Sequence, residues 1–169
     1  GQHNTYLMDK KFFEEFKIVP NYLLKSNKNF LTTTIQKLSK IYLKEKPDYI
    51  INQGDTNTVL ASSLACNKLN YKKNKYTNKF RLVHVEAGLR SYDRSMPEEI
   101  NRIIADQLAD ILLAPTKISK NNLLKENHPQ SKIFVVGNTI SDSIRDNKEK
   151  INHKILDKLK LSKKGYFLL

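Results

Sequence analysis

Only one cysteine, Cys66, stands among the 169 residues. That excludes an internal disulfide framework and a multi-cysteine zinc site, and it makes a reducing, cytoplasmic setting the expectation. No apolar run approaches the roughly 18 to 20 residues that cross a bilayer, so neither a transmembrane segment nor a membrane partner is expected. The opening Gly1-Gln2-His3-Asn4 is neither a basic-then-apolar leader nor a methionine start, so the sequence reads as a piece of a longer chain. Arginine is scarce as well. The net charge of +13 would suit a nucleic-acid partner, but only Arg81, Arg90, Arg94, Arg102 and Arg145 carry the planar fork that reads phosphate and bases. The other cations are lysines scattered among asparagines, a pattern of solvated faces, so no nucleic-acid partner is expected. Three of the five arginines gather between 90 and 102.

What is present alternates between short apolar runs and helical periodicity. Apolar residues at Leu31, Ile35, Leu38, Ile41 and Tyr42 fall three or four apart, predicting a helix over 30–45. Strands are predicted at 49–53, 80–85, 111–114 and 132–136, with helices at 56–69, 97–110, 117–126, 139–150 and 154–161. A Lys/Asn/Tyr-rich loop occupies 70–79, and an apolar run closes the sequence at 166–169. Strands alternating with helices imply an α/β fold with a parallel sheet covered on both faces. In such sheets the ligand crevice lies beyond the carboxyl ends of the strands.

Three segments fall at that edge. After the first strand comes Gly54-Asp55-Thr56-Asn57-Thr58, where glycine permits a tight turn and Asp55 or Thr56 can cap the next helix. After the second comes Glu86-Ala87-Gly88-Leu89-Arg90, where a carboxylate directly following an apolar strand is hard to justify by packing. Its competing role is an ion pair with Arg90 or Arg94. His84 alternates with Glu86 along the strand, and a strand histidine is more often a hydrogen-bonded core residue than a catalyst. The third segment runs from Arg94 to Arg102, where Ser95 and Glu98 match an S-x-x-E capping box. Gly137-Asn138-Thr139 follows the fourth strand as a weaker signal. Asp55, Glu86 and Glu98 thus converge on one sheet edge. Crowded carboxylates have their proton affinities pushed apart, which suits proton abstraction and redelivery. H-E-x-x-H, Walker A and G-x-G-x-x-G patterns are missing, so metal-free acid–base chemistry without a cofactor is expected.

Five motifs occur in one order: Gly54-Asp55-Thr56-Asn57-Thr58, His84-Val85-Glu86-Ala87-Gly88-Leu89-Arg90, Pro97-Glu98-Glu99-Ile100-Asn101-Arg102, Ala114-Pro115-Thr116 and Gly137-Asn138-Thr139. The series closely resembles the non-hydrolysing UDP-N-acetylglucosamine 2-epimerase family. The resemblance implies a Rossmann-like doubly wound parallel sheet forming one half of a GT-B-type two-domain fold. It places Gln2 and His3 just after the second strand of the N-terminal domain. Residues 1–164 would then be that domain without its first strand, and 165–169 the opening of the C-terminal domain. The implied reaction inverts C2 of UDP-N-acetylglucosamine by elimination of UDP and readdition through a 2-acetamidoglucal, in polysaccharide biosynthesis. By the same resemblance Asp55, Glu86 and Glu98 are the acid–base carboxylates. Gln2, His3, Gly54, Thr56, His84, Arg90, Arg102 and Asn138 are the expected substrate contacts, with Arg90 and Arg102 supporting charge in the cleft. A homodimer is implied for the longer protein. The 169 residues alone are expected to be inactive and to fold poorly.

Two alternatives stand beside this. Ser91-Tyr92-Asp93-Arg94-Ser95-Met96 is shared in style by relatives acting on UDP-sugars with a uronate or a second acetamido group. A non-catalytic basic binding fragment is the reading from another class, and salt-dependent binding to arbitrary nucleic acid would mark it.

Overall fold

A computed structural model describes residues 10–24, 28–71, 80–148, 154–162 and 165–166. The elements run α1 Lys10–Glu15, α2 Phe30–Glu45, β1 Tyr49–Gln53, α3 Asn57–Tyr71, β2 Arg81–Val85, α4 Pro97–Leu108, β3 Ile111–Ala114, α5 Lys117–Lys125, β4 Ile133–Val135, α6 Thr139–Asn147 and α7 Lys154–Lys158, with a 3-10 turn at Gln130–Lys132. The chain divides into two compact units, Gly1–Val136 and Gly137–Leu169. All four strands lie in the first unit, and α6 and α7 in the second. Among the described residues no helix is long and apolar enough to cross a membrane.

The four strands form one parallel sheet in the order β1-β2-β3-β4. Each helix between consecutive strands supplies the crossover that a parallel pair requires. Local chemistry sets the ends of these helices. Lys46 takes the left-handed conformation after α2 and donates its N–H to the Tyr42 carbonyl, and Pro47 prevents the helix from continuing. Pro97 opens α4 at a position whose N–H would have no partner, and Glu98 and Glu99 complement the positive end of the helix dipole. Thr116 caps α5 by accepting from the Ser119 N–H at 3.1 Å.

The core is built from Ile50 of β1, Leu82 of β2, Leu112 and Ala114 of β3 and Ile133 of β4, closed by Tyr42, Ala65, Cys66, Phe80, Ala109 and Leu123. The middle of α3 is made of small residues, and Ala61, Ser63 and Ala65 are fully buried, so that helix lies close against its neighbours. Truncating a buried leucine such as Leu82 or Leu112 typically costs about 2–5 kcal/mol.

Three expectations are corrected. The sheet is not covered on both faces throughout. β1 alternates, with Ile50 and Asn52 buried while Tyr49, Ile51 and Gln53 are exposed, and Phe134 and Val135 of β4 are exposed too. Only β2, in the interior of the sheet, has three consecutive buried residues, Leu82, Val83 and His84. Helices α4 and α7 end earlier than their periodicity suggests, α4 because Ala109 already has extended backbone, and the last two residues of the helix expected over 139–150 lie outside the described residues. Finally, α1 was not expected. Most of the 70–79 loop lies outside the described residues. At its base Asn70 imitates a strand partner, donating to the Phe80 carbonyl at 2.8 Å and accepting the Phe80 N–H at 3.1 Å.

Candidate active site

The parallel register places Gln53 beside Val85, so the chain beyond β1 and the chain beyond β2 leave the sheet side by side. Gly54 turns at φ +79°, and its N–H donates to the Val85 carbonyl at 3.2 Å. Glu86 follows β2 in the left-handed region at φ +70°, a conformation that strains any residue with a side chain by about 1–2 kcal/mol. Its carboxylate is half-buried and accepts from Gln53 Nε2 at 3.1 Å. A methyl group added to Gly54 would lie 3.8 Å from Glu86 Oε2, so the carboxylate rests beside the glycine turn.

The same turn presents Asp55. Its backbone carbonyl accepts from Asn101 Nδ2 at 2.9 Å, and Asn101 also donates to Asn57 Oδ1 at 3.0 Å. Its carboxylate pairs with the Arg102 guanidinium. Arg102 in turn donates Nη1 to Glu99 Oε2 at 2.9 Å, while its Nε is buried with no hydrogen-bond partner among the described residues. Thr56 stands just before α3, where its hydroxyl accepts from the Val59 N–H at 3.4 Å, so capping falls to Thr56 and not to Asp55.

Glu98 does not belong to a capping box. Helix α4 begins at Pro97 with Met96 as its cap residue, which puts Glu98 at the second helical position and Glu99 at the third. Ser95 is taken instead by Asp93, donating Oγ at 2.6 Å and its N–H at 2.9 Å to Asp93 Oδ1. The residue that reaches back is Glu99, which accepts from the Ser91 N–H, the Ser91 hydroxyl and the Tyr92 N–H at 3.0, 3.0 and 3.1 Å. Burial pushes the Glu99 carboxyl up. Those donors and Arg102 outweigh it and hold the group below the usual carboxylate range. Glu98, half-buried one turn before Arg102 on the same helix face, forms no hydrogen bond or ion pair among the described residues.

Two expected substrate contacts are enclosed in the protein. Arg90 has a side chain 1% exposed, and it donates Nε to Glu126 Oε1 at 2.7 Å while Nη2 lies 2.8 Å from Asp106 Oδ2. Burial alone would favour its neutral form, but the two carboxylates outweigh that and keep the guanidinium charged. His84 is equally sealed, with Nδ1 2.6 Å from Asp106 Oδ1 and Nε2 2.8 Å from the Gly54 carbonyl. It is the hydrogen-bonded core residue that strand histidines usually are.

Asn138 lies in the second unit, where it caps α6 by accepting from the Ile140 N–H at 3.0 Å. Gln2 and His3 lie outside the described residues. Sequence reasoning missed Asp106, which is fully buried and gathers His84, Arg90 and the Gly88 N–H, the last at 3.1 Å. Its signal was available, because Glu99, Arg102 and Asp106 fall on one face of α4 at spacings of three and four. Among the described residues no three His, Cys, Asp or Glu side chains come together as a metal-ligand set.

Asp55 and Glu86 therefore flank the Gly54 turn at the carboxyl ends of β1 and β2, and Glu98 stands half-buried on α4 one turn before Arg102, the partner of Asp55, whereas the side chains of His84, Arg90, Asp106 and Glu99 are sealed. A family model described as UDP-N-acetylglucosamine 2-epimerase matches residues 1–169. The UDP-N-acetylglucosamine 2-epimerase of Methanocaldococcus jannaschii is 49% identical over 155 residues, covering 87% of this chain and 39% of that relative. A protein of the same name from Methanococcus maripaludis is 44% identical over 180 residues, covering 100% of this chain and 46% of the relative. The chain thus spans less than half the length of these curated relatives. The crystal structure of the M. jannaschii enzyme in complex with UDP-GlcNAc and UDP superposes with a TM-score of 0.79 at 44% identity, covering 92% of this chain and 42% of that one.

Proposed function

The chain belongs to the UDP-N-acetylglucosamine 2-epimerase family, and on that premise we propose that it supplies one wall of a site that inverts C2 of UDP-N-acetylglucosamine to give UDP-N-acetylmannosamine. The C2 proton leaves to a carboxylate and the bond from C1 to the UDP oxygen breaks, leaving a C1–C2 double bond and free UDP. UDP then adds back to C1 as a proton reaches C2 from the opposite face. The sequence is redox-neutral overall, so it needs no external hydride acceptor. It does need more than one proton-handling group in a partly desolvated setting.

The observation that carries this reading is the separation of carboxylates by access. Asp55, Glu86 and Glu98 are half-buried at the sheet edge, whereas Glu99 and Asp106 are sealed and engaged. We assign the first three as the acid–base groups. Gly54 and Thr56 shape the turn that presents Asp55, and Arg102 fixes the Asp55 carboxylate. Because the relatives are more than twice as long, we assign residues 1–164 to one domain of a two-domain protein and 165–169 to the start of the next. Gln2, His3 and Asn138 keep their assignment as substrate contacts by resemblance, as does a cytoplasmic homodimer.

The test is to incubate the intact protein with UDP-N-acetylglucosamine in deuterated water. The expected result is UDP-N-acetylmannosamine carrying deuterium at C2. Absence of both product and exchange would overturn the proposal, and preferential turnover of a UDP-N-acetylated uronate run in parallel would reassign the sugar.

A further inference from the structure

His84 lies between the buried Asp106 and the backbone of the turn that carries Asp55. Its Nε2 faces the Gly54 carbonyl oxygen at 2.8 Å, and a carbonyl oxygen only accepts, so Nε2 bears the proton of that bond. Its Nδ1 faces Asp106 Oδ1 at 2.6 Å, and a second proton must lie between those two atoms, since two lone pairs would repel at this distance. With both protons in place, the set of His84, Asp106, Arg90 and Glu126 is electrically neutral: two carboxylates face one guanidinium and one further proton. His128 lies 3.9 Å from Glu126, and burial pushes its proton affinity down.

Asp106 is itself fixed, by Arg90 at 2.8 Å and the Gly88 N–H at 3.1 Å. A rigid carboxylate therefore orients the imidazole, and the imidazole orients a peptide oxygen. Gly54 alone would allow its turn wide freedom of φ and ψ. Among the described residues the backbone of the turn is held by three bonds, the Gly54 N–H to Val85, His84 to the Gly54 carbonyl and Asn101 to the Asp55 carbonyl, while Arg102 holds the Asp55 carboxylate itself. Among the described residues, the His84 bond is the one that fixes the peptide plane joining Gly54 to Asp55.

We infer that His84 is a positioning residue: anchored on Asp106, it locks the Gly54–Asp55 peptide and so sets where the Asp55 carboxylate meets the substrate. The inference rests on the epimerase reading for what Asp55 does, but not for how His84 is held. A misplacement of about 1 Å costs roughly 10²-fold in rate. His84→Asn keeps a donor for Asp106 but is too short to reach Gly54, whereas the His84→Gln amide nitrogen reaches the place of Nε2.

The experiment compares the intact wild-type protein with both variants. His84→Asn should lose about 10²-fold in kcat at little-changed KM, with His84→Gln recovering much of it. A folded His84→Asn with the wild-type kcat, or Asn and Gln variants slowed equally, would overturn the inference. Nitrogen-15 NMR of the wild-type protein supplies a readout independent of the variants' folding and of any activity. A slowly exchanging proton on His84 Nε2 is expected, and an unprotonated Nε2 would overturn the inference. A wild-type protein that turns over no UDP-sugar but shows that proton would refute the epimerase reading while leaving the His84 anchor standing.

Discussion

The Arg90 guanidinium lies 2.8 Å from the Asp106 carboxylate, and neither side chain reaches solvent. Removing one partner from such a pair leaves the other charged and unsolvated, which typically costs about 3–5 kcal/mol. Arg90→Met should therefore lower the free energy of unfolding by about that amount in urea titrations, with KM for the UDP-sugar unchanged. A variant as stable as wild type but with a raised KM would return Arg90 to the substrate.

Gly88 is required by its surroundings as well as by its backbone. At φ +79° a Cβ would fall 2.2 Å from the Ser119 carbonyl oxygen, on the first turns of α5. Conformational strain and overpacking together should make Gly88→Ala at least about 2 kcal/mol less stable. Gly137→Ala is the comparison. It has φ +85° but, among the described residues, nothing within 4 Å of the added methyl, so only the strain of about 1–2 kcal/mol should appear.

Glu99 predicts an acid limb in the stability profile. Its carboxyl is held below the usual range in the folded protein, so it stabilises the fold fully above the unfolded pKa of about 4.3. That contribution is lost as pH falls through the lower folded value. Glu99→Gln should flatten this part of the curve and loosen the Ser91–Tyr92 backbone that Glu99 accepts from. An acid limb identical in the two proteins would show that Glu99 is not its source.

The sheet was legible because four short apolar runs separated by helical periods leave few topologies open, and the edge beyond the carboxyl ends of the strands followed from that. What escaped the sequence was which polar residues turn inward. Alternation put His84 and Glu86 on one side, but the left-handed Glu86 breaks the period, and the two side chains engage Asp106 and Gln53 respectively. Ser95 and Glu98 fit a capping pattern, yet Pro97 starts the helix one residue later, and Asp93 satisfies Ser95 locally. Helix α1 was unreadable because it has no buried residue, and so gives no apolar face to detect.

Cys66 should be chemically silent. It is 1% exposed, and burial together with the nearby Asp110 pushes its thiol up to about 11, far from the thiolate that reacts. Under native conditions at neutral pH a thiol reagent should modify it only at the rate of unfolding. Prompt labelling of the folded protein would contradict the packing of α3 on β2.

Glu98 and Glu99 are adjacent in sequence and should fail in opposite ways. Glu99 holds a loop and an arginine, so Glu99→Gln should lower the melting temperature first and the rate mainly through lost structure. Among the described residues Glu98 makes no bond that its amide would break, so Glu98→Gln should melt as wild type does. If Glu98 moves a proton in the reaction, that same variant should lose roughly 10²–10⁴-fold in kcat. Asp55→Asn and Glu86→Gln should show comparable rate losses, Asp55→Asn with some instability because Arg102 then loses a charged partner. Steady-state kinetics beside thermal melts of the intact protein separate these outcomes. A Glu98→Gln variant that keeps both its melting temperature and its kcat would remove Glu98 from the acid–base set and leave Asp55 and Glu86 to carry both protons.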